Sequence, residues 1–116
     1  MSYIAGEALP PKVPVCIGES DGYIYQAQAT TWTRMPCFGV CLVGKELGAT
    51  ILETEIAQFG RVDNINRDLN FSYDDSIFVS ANLGKVTTSP GPLVQSIGRA
   101  LNSSDIILQI DATVIE

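Results

Sequence analysis

The sequence predicts an all-β domain, folded as a compact barrel or a sandwich. Three observations predict it. Clusters of Gly, Asn, Asp, Ser and Pro recur about every ten residues, the turn spacing of such folds. The runs between them are short and rich in Val, Ile, Thr and aromatic side chains, which suit a pleated, half-buried surface. No stretch of about ten residues sustains a helical hydrophobic period. Roughly eight to ten short strands follow from this pattern.

Residues 1–14 read as an extended N-terminal arm, and 15–116 as a single β-rich domain. Leu9-Pro10-Pro11-Lys12-Val13-Pro14 is expected to stay out of any central strand, because its three prolines lack the ladder donor. Val15-Cys16-Ile17 reads as a strand. Gly18-Glu19-Ser20-Asp21-Gly22 turns the chain, and Asp-Gly ahead of Tyr23-Ile24-Tyr25-Gln26-Ala27 is a hairpin signal. Thr30-Thr31-Trp32-Thr33 reads as a loop or a single helical turn.

Residues 37–43 are apolar on both faces, which places them in the interior. Residues 49–56 alternate, as a half-exposed strand does, and Ala57 to Val62 continues the sheet after a bend at Gly60. Residues 63–75 form the most polar stretch and favour turns. Ser76 to Ser80 is a further strand, and Val86-Thr87-Thr88 returns from a turn at Asn82 to Lys85. Leu93 to Leu101 carries a strand broken at Gly98. In the last strand Ile106, Leu108 and Ile110 face one side, and Ile107, Gln109 and Asp111 the other.

The chain has 116 residues, a formal net charge of −6 and no histidine. The length suits one core of ordinary size. An acidic surface repels phosphate backbones, and the seven basic residues are scattered, so nucleic acid is not an expected partner. The apolar runs fall far short of the roughly 20 residues that span a bilayer, so a membrane is not expected either. No basic segment followed by an apolar one opens the sequence, so synthesis in a reducing cytoplasm is expected. Cys16, Cys37 and Cys41 read as buried free thiols. Cys37 and Cys41 on one strand would lie about 13 Å apart, beyond disulfide reach. A bridge from Cys16 to either stays open.

An enzyme is not expected. Without histidine the usual proton shuttle at neutral pH is missing, and no serine has an adjacent base. No catalytic, cofactor-binding or metal-binding residue is assigned. Lys12, Lys45 and Lys85 fall in turn or arm contexts and are expected to be solvated. Glu53 and Glu55 would share the solvent face of a strand. Asn64, Asn66 and Asp68 alternate like calcium-loop ligands, but Leu69 stands where the loop needs glycine, so a polar connection is expected.

Two interaction sites are assigned. Ser2, Tyr3, Ile4, Ala5, Gly6, Glu7, Ala8 and Leu9 form the binding part of the arm, because its apolar residues suit docking on another subunit or adding to a foreign sheet edge. Trp32, Met35, Pro36 and Phe38 form a candidate interface patch, being of the types concentrated in interface cores. The same four residues would equally plug the end of a barrel.

Several segments together resemble a known family. They are Gly6-Glu7-Ala8-Leu9, Val13-Pro14-Val15-Cys16-Ile17 and Asp21-Gly22-Tyr23-Ile24-Tyr25-Gln26-Ala27, followed by Met35-Pro36-Cys37-Phe38-Gly39-Val40 and Gly60-Arg61-Val62. Ser76-Ile77-Phe78-Val79-Ser80, Gly84-Lys85-Val86-Thr87-Thr88-Ser89-Pro90 and Val94-Gln95-Ser96-Ile97-Gly98-Arg99-Ala100 complete the set. This pattern is similar to the small β-rich modules of tailed bacteriophages, found as capsid decoration (cement) proteins and within tail fibres. The resemblance implies a β-tulip-like or barrel knob and a homotrimer on the outer surface of the virion. It implies the major capsid protein as partner and an arm that pairs with the shell. A tail-fibre, tail-spike or baseplate component is the alternative. A carbohydrate-binding module stacking sugars on Trp32, Tyr23 and Tyr25 is a second.

Overall fold

The computed structural model describes residues 2–116; Met1, counted with the expected arm, lies outside the described residues. The fold is all-β, as the sequence predicts. Its strands are β1 (Ser2–Ile4), β2 (Val13–Ile17), β3 (Ile24–Gln26), β4 (Gly39–Cys41), β5 (Thr50–Leu52), β6 (Ile56–Ala57), β7 (Phe59–Val62), β8 (Ser76–Val79), β9 (Val86–Thr87), β10 (Ser96–Ala100) and β11 (Ile106–Gln109). They form three antiparallel sheets, ordered β3-β2-β4-β6, β7-β11-β10-β8-β9 and β1-β5. Among the described residues no helix is long and apolar enough to cross a membrane.

The four-stranded sheet is the middle layer. Val40 joins one apolar cluster with Ile77, Val79, Ile97, Ile106 and Leu108 of the five-stranded sheet. Val13, Val15 and Cys41 face the other way, into a second cluster with Ala5, Leu9, Ile24 and Ile51. Alternation along β4 sends Val40 and Cys41 into different clusters, and along β2 it points Val13 and Val15 the same way. That is why Gly39, Val40 and Cys41 are all buried. The double-sided apolar character of Gly39 to Cys41 thus reports its place between the layers, whereas Leu42 is only partly buried and Val43, expected in the interior with them, is 38 % exposed.

The hairpin at Asp21-Gly22 forms as expected. Val15 pairs Gln26, Cys16 pairs Tyr25 and Ile17 pairs Ile24. Gly22 takes φ +72°, a conformation that costs glycine little. Trp32–Arg34 is one 3-10 turn, with the Thr31 hydroxyl accepting the Thr33 N–H. Ile106 and Leu108 are fully buried, as alternation requires.

Four expectations need correction. Pro14 lies inside β2, a central strand paired with both β3 and β4. Glu53–Glu55 is a 3-10 turn between β5 and β6, so these glutamates are not strand neighbours. Gly98 does not break β10 but bulges it: the register to β8 shifts between Ser96 and Gly98, and a Cβ at Gly98 would collide with the Ile107 carbonyl. Lys45 is not a free solvated lysine; its Nζ lies 2.9 Å from Glu55 Oε1 with both side chains mostly covered.

One buried polar side chain ties the segment before β10 to the middle layer. Gln95 is fully buried. Its Oε1 accepts the Cys37 N–H at 2.8 Å, and its Nε2 donates to the Cys37 carbonyl at 2.8 Å and the Asp111 carbonyl at 2.9 Å. The amide thus replaces a ladder partner for Cys37, whose backbone would otherwise be unpaired inside the core.

Candidate functional site

The segment assigned as a docking arm is extended, but it docks on its own domain. Ser2, Tyr3 and Ile4 pair with Leu52, Ile51 and Thr50. Ala5 bridges Ile24, and the Gly6 N–H donates to the Ile24 carbonyl at 2.9 Å. Ala5 and Leu9 are buried in the second apolar cluster, while Ser2 and Ala8 are exposed. The stand-off arm is therefore corrected to an intramolecular edge strand. The reason is physical: β3 has an open edge and β5 lacks a partner, and the apolar segment covers both.

Glu7 is the centre of this attachment. Its carboxylate takes a two-pronged contact from Arg34, with Nη1 at 2.7 Å and Nη2 at 3.1 Å, and accepts the Gln26 N–H at 2.8 Å. Burial pushes the Glu7 carboxyl up. The Arg34 hydrogen bonds, the Gln26 N–H and the Arg34 charge together outweigh burial and hold it below the ordinary carboxylate range. Arg34 also donates to the Gln26 carbonyl at 3.0 Å and lies 5.9 Å from the centre of the Tyr25 ring.

Tyr25 is packed at both ends. A Cβ at Gly6 would collide with its phenol end, and one at Gly18 would come within 2.7 Å of Cε2. Its hydroxyl donates to Asp21 Oδ2 at 2.5 Å. That contact, with the Tyr23 N–H on Asp21 Oδ1, draws the Asp21 carboxyl down. Tyr25, Asp21, Thr33 and Arg34, with Gly18 to Ser20, line an open concavity of about 500 Å³. Tyr25 is thus a keystone between the leading segment and the hairpin.

The patch of Trp32, Met35, Pro36 and Phe38 does not form as a unit. Met35 is buried in the first cluster, and Phe38 packs against the second, its ring 5.9 Å from that of Tyr3. Trp32 is half exposed and Pro36 exposed. Extended backbone around Cys37 sends Met35 and Phe38 to opposite layers.

A second concavity, about 530 Å³, is lined by Pro11, Lys12 and Asn64 to Asn70. It contains the stretch with calcium-loop spacing. Here a protein cation occupies the oxygens: the Arg67 guanidinium donates to Asn64 Oδ1, the Ile65 carbonyl and Asn70 Oδ1 at 2.9 to 3.2 Å. Asp68 is turned away, accepting from Ser80 Oγ and from Asn82 Nδ2. Residues 66–68 also shield a sheet edge, since the Val86 N–H donates to the Asn66 carbonyl and the Asp68 N–H to the Val86 carbonyl. Among the described residues no group of three His, Cys, Asp or Glu converges as a metal site. All three cysteines are free and buried. Burial pushes the Cys16 thiol up to about 11 and the Cys37 thiol up to about 12, which removes them as nucleophiles at neutral pH.

The surface that sequence reasoning missed is the outer face of the five-stranded sheet. Arg61, Ile107, Arg99 and Ser76 are successive cross-strand partners, and Phe59 lies opposite Gln109. Phe59 is 83 % exposed. β7 ends this sheet, with β11 as its sole ladder partner among the described residues. Rim carboxylates hold the two arginines: Arg61 contacts Asp63 at 2.6 Å and Asp105 at 3.0 Å, and Arg99 contacts Asp74 at 3.5 Å. Alternation in β7 and β11 carries the signal for this face, but the sequence does not say that the two strands pair. The chain matches no protein-family model and no curated protein.

Proposed function

We propose that this chain is a structural module of a tailed-phage particle: a capsid decoration protein that seats on the outer shell, assembles as a homotrimer and stabilises the particle without catalysis. The observation that carries this reading is the outer sheet face, where Phe59, Ile107 and two arginines border an open strand edge. A large aromatic exposed beside an unpaired edge is a docking feature. Burying Phe59 would contribute about 1.5–3 kcal/mol per contact, and several copies on one shell would multiply the effective affinity. The strand-and-turn segments that resemble phage β modules support the viral setting. Because residues 2–9 are used inside the domain, the grip is assigned to this face and edge.

The test is cosedimentation with emptied phage heads and electron microscopy of intact particles. Shell binding by the native chain, lost in the F59E variant with unchanged thermal stability, is the expected result. Binding to purified tails with none to heads would replace decoration by the tail-component reading. Undiminished head binding by F59E would remove this face from the mechanism.

A further inference from the structure

The seat that holds residues 2–9 accepts a segment of defined sequence, and that segment hangs on a short hinge. We propose that two copies of the chain exchange residues 2–9, each copy's β1 completing the β5 and β3 edges of the other. This goes beyond the decoration reading: it concerns the free chain in solution, before the homotrimer proposed above assembles on a shell.

Two observations carry it. The first is the separability of the segment. Its ladder runs to Thr50–Leu52, its bridge to Ile24, its ion pair to Arg34, and Leu9 exchanges backbone hydrogen bonds with Lys45 at 2.7 and 2.9 Å. These partners all lie beyond β2 in the chain, so an identical segment from a second copy satisfies every one of them.

The second is the hinge. Pro10, Pro11 and Lys12 join Leu9 to β2, and both prolines are exposed. Lys12 sits at φ +59°, the left-handed region that a side chain with Cβ disfavours. The closed monomer needs that turn to fold the segment back; an opened hinge releases it. Short strained hinges favour exchange over closure. The hinge reaches about 10 Å when extended, so the two copies must meet closely. They would meet at the polar concavity of Pro11, Lys12 and Asn64 to Asn70, which the hinge borders.

A disulfide across the β1–β5 ladder reads the exchange directly. Ser2 and Leu52 are Cα partners and both exposed, and such partners stand about 4.5–5.5 Å apart, within disulfide reach. The full chain carrying S2C and L52C is refolded reduced at rising protein concentration, oxidised after folding, alkylated and run on a denaturing gel. Exchange yields a covalent species of twice the chain mass whose share grows with concentration. An intramolecular disulfide alone, at every concentration, overturns the proposal. Adding K12G relieves the hinge and lowers the double-mass share; an unchanged share overturns hinge strain as the driver.

Discussion

Pro14 accepts the Ala27 N–H through its carbonyl at 2.9 Å, while the Ala27 carbonyl takes its hydrogen bond from the Gly84 N–H at 2.9 Å. In a regular antiparallel pair that carbonyl would bond the N–H of residue 14. Proline has none, and Gly84 supplies the donor instead. This exchange explains how a proline occupies a central strand. It predicts that Pro14→Ala destabilises the protein by about 1–2 kcal/mol, because the new buried N–H finds its acceptor taken and the unfolded chain gains freedom. Urea unfolding of the variant measures this; an unchanged midpoint would count against it.

Gln95→Leu keeps the volume of the side chain and removes its polar head. The Cys37 N–H and C=O then lose their partner in the core, as does the Asp111 carbonyl. The expected loss is roughly 3 kcal/mol, because buried groups left unpaired cost about 1–3 kcal/mol each. Thermal unfolding checks it, and the Tm of the variant should drop well below that of Gln95→Glu refolded in acid, where the carboxyl is neutral and retains a donor.

The Glu7–Arg34 pair makes stability pH-dependent on the acid side. The folded-state pKa of Glu7 is lowered, so its contribution is fully present above the unfolded value of about 4.3 and is lost as pH falls through the folded value. The partly exposed pair is worth about 1 kcal/mol or less after solvent screening. Glu7→Gln should remove that component of the acid titration while leaving the neutral-to-alkaline part unchanged. An identical acid limb in both proteins would show that Glu7 does not contribute.

The thiols act on the alkaline side. Cys16 and Cys37 have folded values raised to about 11 and about 12. Stability they leave intact below the unfolded value of about 8.5 declines above it, because the unfolded chain ionises first. At pH 8 the Cys16 thiolate amounts to about one part in a thousand. Native protein should therefore resist a thiol-reactive dye that labels all three cysteines in denaturant. Rapid native labelling of Cys37 would contradict its burial.

Gly6→Ala tests the keystone. The added methyl collides with the Tyr25 ring, displacing either the ring from Asp21 or the leading segment from Ile24. A loss of about 1–3 kcal/mol is expected, the usual cost of overpacking. Adding Tyr25→Phe, which removes only the hydroxyl contact to Asp21, should leave most of that loss in place, since the ring remains.

Local chemistry announced much of the fold. Asp21-Gly22 marks a hairpin because glycine tolerates the turn, and the turn brings its flanking strands together. Ile106 and Leu108 mark a buried face because strand side chains alternate. The doubly apolar stretch at Val40 marks an interior strand. Each of these signals is carried within a few residues. The prolines of residues 10–14 misled for the same reason: a missing N–H is visible in sequence, but the Gly84 donor that compensates for it lies some seventy residues onward.

The sequence by itself therefore determined the strand-rich class, the central hairpin, the interior placement of Val40 and Cys41, and the absence of histidine chemistry. Only the tertiary structure decided that residues 2–9 close their own sheet edges, that Met35 and Phe38 part company, that Gln95 serves Cys37, and that Phe59, Arg61, Ile107 and Arg99 share one face. Turn and alternation signals are encoded between neighbours. Strand pairing is a contest among all edges at once, won by the arrangement that buries the most apolar surface with every backbone group satisfied.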